Sequence, residues 1–453
     1  MLIFYLLLSI AIIIFLSARL QVHPFVALLI VAIFYGIAAG IPLNQLITSV
    51  NKGFGNTLGG IGLIIILGVI IGAFLENSGG AFALAERVLK FAGKKRIPLA
   101  MSLIGWVVSI PVFADSGFML LASLNKSLSK KAGLSLSVTG VALAIGLTAS
   151  HTLVPPTPGP IAAAHYLNAN LGLVILLGIP LSLMALLVAL FFVKKYASRV
   201  YVDPDPQSGA INIHEQANLA PGAFRSSLPI FVPIILIVTK SILISFSGFQ
   251  SNNFDSFPAL IKLLFFLGEP FVALIIGCLF AFLLPQKLNR GMFTTTGWIG
   301  KALTDAASIL LITGAGGVFG QVLRDSGIAT ILGDTLSGLH MGILLPFLLA
   351  ASIKTAQGSS TVALITTASI LAPLMMELGF ETELQKASVV LAIGAGSAVV
   401  SHANDSFFWV ATGLSGLNVQ NGYRFLSFGT LILGTAAISI LSLLQLILSF
   451  FTA

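Results

Sequence analysis

SHTLVPPTPGP at 150–160 and SHANDSFFW at 401–409 interrupt two stretches that are otherwise apolar enough to cross a membrane, and each interruption opens on a Ser-His pair. Hydrocarbon tolerates neither an ionisable side chain nor freed backbone donors and acceptors unless they line a cavity enclosed by protein. Two such breaks, one in each half of the chain, form the pattern of a secondary carrier whose site lies between discontinuous helices.

Composition confines the class. Of 453 residues, 57% are hydrophobic and 8% charged, with a mean hydropathy of +1.04; in soluble domains roughly a quarter of residues are charged. Continuous apolar runs such as LGLVILLGIPLSLMALLVALFFV (171–193) exclude a β-barrel, whose strands alternate. The chain therefore reads as a polytopic helical membrane protein. The lone cysteine, Cys278, excludes an internal disulfide. Residues 2–17 are apolar without a basic leader or a small-residue cleavage site, and are expected to be a first span rather than a removed signal. The formal charge of +8 is scattered over short loops, which argues for membrane orientation and against a nucleic-acid partner.

Spans are expected near 2–18, 24–41, 60–75, 136–153, 171–193, 228–247, 268–285, 302–323, 386–412 and 424–450. With both termini outside, this threading puts most of the 23 Lys and Arg residues, among them Arg19, Arg87, Lys94, Lys95, Lys195, Arg199 and Arg424, on the cytoplasmic side. Two further apolar segments are too short to cross. Residues 97–125 and 341–374 each have two arms of roughly 10 to 14 residues, where a crossing needs about 20. The arms join at IPVFADSGF (110–118) and IKTAQGSSTV (353–362). They are expected to be re-entrant hairpins. The first enters from the cytoplasm; the second, flanked by His340 and Glu377 without a basic excess, enters from outside.

The halves look duplicated. GAFLENSG (72–79) and GQVLRDSG (320–327) share Gly, Leu, Ser and Gly in register, each precedes a hairpin, and each hairpin precedes a Ser-His break. An odd number of crossings per unit inverts the second copy. The expected fold is an all-α polytopic membrane protein of two inverted repeats, each with about five transmembrane helices, one re-entrant hairpin and one discontinuous helix. The first repeat covers 1–199, with its hairpin at 97–125 and broken helix at 136–166. The second covers 227–453, with its hairpin at 341–374 and broken helix at 386–412. Between them, the polar, Pro/Gly-rich stretch 200–226 is expected to be a cytoplasmic linker.

Few ionisable residues fall at membrane depth: Asp115, His151, Lys354, His402 and Asp405. Each is costly there and so a functional candidate. Lys354 is the natural counter-ion for an anionic substrate, helped by helix N-terminal amides at Gly117 and at 358–360; the bland alternative is a structural ion pair with Asp405 or Asp115. Asp115 and Asp405 are candidates for a coupling proton, with helix capping as the alternative for Asp115. His151 and His402 hold matching places in the two breaks and can donate to a hydroxyl or carboxylate. Hydroxyl and amide recognition is assigned to Ser116, Ser150, Thr152, Gln357, Ser359, Ser360, Ser401 and Asn404, with Ser406 beside them. Pro155, Pro156, Pro158 and Pro160 hold the first break open by removing donors and blocking helix geometry. His23, His165, His214 and His340 have no assigned role.

LVPPTPGP, AQGSSTV and SHANDS, in this order and spacing, resemble the gluconate permease family of proton symporters within the larger ion transporter superfamily. The resemblance runs over nearly the whole chain. It implies a multi-pass carrier of the prokaryotic inner membrane that imports gluconate or a related sugar acid or hydroxy acid with protons. It also implies elevator-type movement of a transport domain within a homodimer. Thr157, Lys354 and Phe407 differ from residues common in sugar-acid members, which keeps a sodium-coupled carboxylate carrier or a D-serine-type amino-acid carrier open as the alternative.

Other classes fit less well. An intramembrane hydrolase is the distant alternative, but no GxSxG, HExxH or GxGD-type arrangement is present. GAGGVFG at 314–320 lacks a phosphate-loop pattern and suits close helix packing, so no ATP-driven pump is expected. No cofactor or metal is expected; the proton is the coupling ion, with sodium held by break carbonyls and hydroxyls as its rival.

Overall fold

The computed structural model describes residues 1–92, 96–204, 220–247, 258–328 and 341–452. The middle of the expected linker (205–219, with His214), Lys94 and Lys95, and His340 lie outside the described residues. What is described is helical, with short 3-10 and π turns and no strand. The first half runs α1 (Leu2–Ile14), α2 (Pro24–Ala38), α3 (Leu43–Asn77), α4 (Gly80–Ala92), α5 (Ile97–Val108), α6 (Ala114–Ala132), α7 (Leu136–Leu153), α8 (Pro158–Tyr166) and α9 (Leu171–Tyr196). The second runs α10 (Ala223–Ser247), α11 (Ala259–Leu267), α12 (Pro270–Phe282), α13 (Trp298–Asp325), α14 (Leu344–Gln357), α15 (Ser360–Leu371), α16 (Glu383–Ala398), α17 (Ser406–Leu414) and α18 (Phe428–Thr452).

Local chemistry fixes the ends. Asn170 starts α9 by accepting from the amides of Gly172 and Leu173 at 3.0 and 3.2 Å, and Thr382 with Gln385 forms a capping box on α16. The two related octapeptides end their helices alike. Ser78 and Ser326 are the C-caps of α3 and α13, followed by Gly79 at φ +78° and Gly327 at φ +71°, a conformation glycine adopts without a Cβ penalty.

Among the described residues, six helices are long and apolar enough to cross a bilayer, or seven counting α11 and α12, which bend by 72° at their junction. Ten crossings were expected. The first two expected spans fall on apolar helices of 13 and 15 residues, shorter than the roughly 20 that a perpendicular crossing needs, and the ninth is divided between α16 and α17. Elsewhere the helices outrun the apolar runs: α3 begins at Leu43 rather than near 60, because its polar first turns (LNQLITSVNKGFGN) continue the helix without adding to hydropathy. Helices α4 and α11 were not foreseen.

Both short apolar pairs turn back where expected, α5 to α6 around 109–113 and α14 to α15 at Gly358 and Ser359. Helix α5 packs on α7 and α14 on α16, while α6 meets α17 and α15 meets α8. Each hairpin therefore touches both broken helices. Around them, α13 lies along α3 and α2, and α9 along α18.

The contact between α5 and α7 rests on small residues. A Cβ on Gly146 of α7 would run into the Ser102 carbonyl of α5, whereas one on Gly55 of α3 would meet nothing within 4 Å. Gly146→Ala is expected to cost about 1–3 kcal/mol by overpacking. Gly55→Ala should be neutral or stabilising by up to about 1 kcal/mol through helix propensity. Thermal unfolding in detergent compares the two, and equal melting temperatures would show that α5 and α7 are not in backbone contact.

Candidate functional site

A polar cavity of about 270 Å³ opens where the four interrupted elements meet. Hairpin one contributes Phe113, Ala114 and Asp115; the first broken helix contributes Thr148 and His151 from α7; hairpin two contributes Lys354 and 357–361; the second broken helix contributes Ala398, Ser401 and 404–407.

At its base lies an ion pair. Lys354 is 2% exposed and Asp405 7% exposed, and the ammonium donates to Asp405 Oδ2 at 2.6 Å and to the Gly358 carbonyl. Ser401 Oγ donates to the same carboxylate oxygen at 2.6 Å. The other oxygen, Oδ1, accepts the Phe407 amide at 3.1 Å, so Asp405 is also the N-cap of α17. The structure thus gives Lys354 to Asp405, the structural pairing raised as the alternative to direct substrate contact.

The backbone around the pair is held hard. Gly358 sits at φ +91°, and a Cβ there would collide with the Asn404 carbonyl. Val400 sits at φ +42°, a conformation strained for a β-branched residue. Its neighbour is clamped by α18 and the turn before it: Thr430 Oγ1 accepts the Ser401 amide at 3.0 Å, and Ser427 Oγ donates to the Ser401 carbonyl.

Opposite the pair, Asp115 stands in the first turn of α6, and its side chain accepts from Ser406 Oγ at 3.3 Å. His151 has Thr361 Oγ1 3.4 Å from Nε2, while its Nδ1 is buried without a protein partner. The same holds for the side-chain nitrogen of Gln357. Among the described residues, these two are the cavity-lining members of the set of buried polar atoms left unpaired. Buried polar atoms are nearly always paired, so both are open to a ligand. Ser359 caps α15 by accepting the Val362 amide at 3.3 Å, and the starts of α6, α15 and α17 all border the cavity, each offering first-turn amides.

Several sequence candidates do not line it. His151 lies in α7, where successive side chains are turned by about 100°; Ser150 and Thr152 therefore face away, Ser150 buried and Thr152 donating to the Thr148 carbonyl at 3.0 Å. For the same reason Ser116 lies outside the lining while Asp115 is within it. His402 departs from the expected equivalence with His151. It sits in the irregular stretch after α16, at a turn where its carbonyl accepts the Asp405 amide at 2.8 Å, bonds the Thr355 carbonyl through Nε2 at 2.7 Å and stacks near Tyr423. Asn404 lines the cavity but spends its amide on the carbonyls of Thr355 and Ala356, each at 2.9 Å. Pro155 and Pro156 fall in the break, Pro158 opens α8 and Pro160 lies in its first turn, all buried outside the cavity lining.

Phe113, Thr148, Thr361, Ala398 and Phe407 line the cavity without having been singled out as site residues. Thr148 had a signal: it lies one helical turn before His151 and so on the same face.

A polar cavity between two helical hairpins and two interrupted helices, in a chain of apolar spans, is the architecture of a membrane permease. The GntP family permease profile matches residues 1–447. The Escherichia coli inner membrane permease YgbN is 36% identical over 92% of this chain and 92% of its own length. A gluconate permease of Pseudomonas aeruginosa is 33% identical over 96% of this chain and 95% of its own. Among solved structures, the Alcanivorax borkumensis YdaH transporter superposes with a TM-score of 0.63 over 88% of both chains at 15% identity, a likeness of fold. The chain belongs to the GntP permease family. It is a multi-pass inner-membrane transporter, not an enzyme.

Proposed function

We propose that the protein imports gluconate or a closely related sugar acid by proton symport, binding it in the cavity between the hairpins and the broken helices. The observation that carries the reading is the cavity itself: it is small, polar, bordered by three helix N-termini, and contains buried partners unspent on protein at His151 and Gln357. A carboxylate suits the helix starts. Sugar hydroxyls suit His151, Gln357, Ser360 and Thr361, whose spacing around a compact cavity favours a short polyol chain over a bulky one. The relative named a gluconate permease supports the substrate class.

The coupling follows from charge. Asp115 and Asp405 against Lys354 leave one formal negative charge among the carboxylates and lysine of the cavity. An anionic substrate adds a second at close quarters, which is unfavourable in a poorly hydrated site. A proton entering with the substrate cancels the addition, and Asp115, whose partner is a hydroxyl rather than a cation, is the group we assign to carry it.

Movement belongs to the same reading. The hairpins and breaks form one packed unit, and the pairs α5 with α7 and α14 with α16, α6 with α17 and α15 with α8 correspond under exchange of the halves. That correspondence supports an inverted repeat (1–199 and 227–453) moving as an elevator, and the superfamily resemblance adds a homodimer. Purified protein in liposomes is expected to accumulate labelled gluconate when the outside is made acidic, without sodium. Uptake that requires sodium and ignores pH would overturn the coupling; failure of every sugar acid to compete would overturn the substrate class.

A further inference from the structure

A second cavity, of about 330 Å³ and sharing no lining residue with the first, lies between the end of α9 and the start of α18. Arg199 and Arg424 form its polar end, and Phe192, Tyr196, Phe425 and Phe428 its apolar wall. The polar end is organised. Arg199 lies over the Tyr196 ring, 5.0 Å from guanidinium carbon to ring centre, with Lys195 5.6 Å from the same ring, and the Phe192 ring packs tilted against Tyr196 at 4.8 Å between centroids. Arg424 and Phe425 are presented by a π-helical turn, Gly422–Ser427, a feature often found at functional sites. Neither arginine forms an ion pair with an acidic side chain among the described residues.

The geometry points to a binding site for an anionic phospholipid of the cytoplasmic leaflet, with its phosphate between Arg199 and Arg424 and an acyl chain along the aromatic wall. Four features favour this ligand. Two guanidiniums suit the oxygens of a phosphate diester. The apolar wall, whose Phe428 is 55% exposed, suits a chain already in the bilayer rather than a free ion. The positive-inside reading puts this end, with Lys194 and Lys195, on the leaflet where anionic headgroups gather, and basic pockets between helices on that side are where such headgroups dock. Among the described residues, no carboxylate lines the pocket to hold the amine of a zwitterionic headgroup.

The test is native mass spectrometry of the full-length protein in detergent, titrated with phosphatidylglycerol or phosphatidylethanolamine, with a parallel thermal-shift series in phosphatidylglycerol or inorganic phosphate. Phosphatidylglycerol is expected to be retained in preference to phosphatidylethanolamine. The double variant Arg199→Gln, Arg424→Gln should weaken its binding by about 30-fold, from a loss of roughly fivefold per basic group. Lys287→Gln with Arg290→Gln removes the same charge from two other exposed basic residues and should bind like the parent. Arg424→Lys keeps the charge but loses the guanidinium fork, so it should bind more weakly than the parent and more tightly than the double variant, an ordering that a merely misfolded double variant would not predict. Equal retention of the two lipids, equal weakening in the control pair, or stabilisation by inorganic phosphate matching that by phosphatidylglycerol would each overturn the lipid site, the last by reassigning it to a free anion.

Discussion

Lys354→Ala is expected to cost about 3–5 kcal/mol of stability and to abolish uptake. The lysine is not a surface group with solvent to replace it. Its ammonium is 2.6 Å from Asp405 and also bonds the Gly358 carbonyl, inside a cluster that fixes the hairpin-two tip against the second break. Deleting it leaves the Asp405 carboxylate buried with one hydroxyl and one amide, and an uncompensated buried charge is costlier than the pair is favourable. The same reasoning predicts a rescue. In Lys354→Met combined with Asp405→Asn, the charge is gone from both partners, while the asparagine can still cap α17 and meet Ser401. The net formal charge of the cavity is unchanged, so that variant should regain most of the lost melting temperature; it should still fail to transport, because no cation remains beside Asp115 to offset an incoming carboxylate. A double variant as unstable as Lys354→Ala would mean that the pair does not act as a unit; uptake by Lys354→Ala at the parent rate would remove it from the mechanism.

Much of this molecule was legible because the bilayer punishes irregularity. Prolines at 155, 156, 158 and 160, or a lysine and a run of serines at 354–360, cannot sit in a lipid-facing helix, so each had to mark a turn or an enclosed break. That logic located both hairpins, both breaks, and Asp115, His151, Gln357, Ser401 and Asp405 around one cavity. It has no access to rotation or to pairing. Ser150, His151 and Thr152 are adjacent letters, yet in an unbroken helix they point in three directions, and only the middle one reaches the cavity.

The matching Ser-His pairs mislead for a related reason. The first histidine precedes the end of its helix at Leu153, whereas the second follows the end of its helix at Ala398. The first break runs over 154–157 and the second over the longer stretch 399–405, so equal letters are carried by unlike backbone. The Lys354–Asp405 bond joins residues 51 positions apart in two elements, and sequence could name it as one alternative but not choose it. Long amphipathic helices escaped for the opposite reason: the polar start of α3 carries no hydropathy signal, though its helix is continuous.

Asp115→Asn is expected to leave the protein folded and able to exchange substrate across the membrane while losing uphill accumulation. Unlike Asp405, Asp115 has no lysine bound to it and does not cap a helix with its own side chain; its partner is Ser406 Oγ at 3.3 Å, which an amide oxygen can also accept. Stability should therefore change little, in contrast to the Lys354 variant. If the parent carries one proton with each monovalent acid, an inward gradient of one pH unit supports about tenfold accumulation, since one unit is worth about 1.4 kcal/mol. An asparagine neither takes up nor releases that proton, so its accumulation ratio should stay near unity at every imposed gradient, with exchange of labelled for unlabelled substrate near the parent rate. Proteoliposomes loaded with unlabelled gluconate measure exchange, and empty ones under an acid-outside gradient measure accumulation. Tenfold accumulation by the asparagine variant would transfer the coupling role away from Asp115, and loss of exchange together with accumulation would make the residue a substrate contact instead.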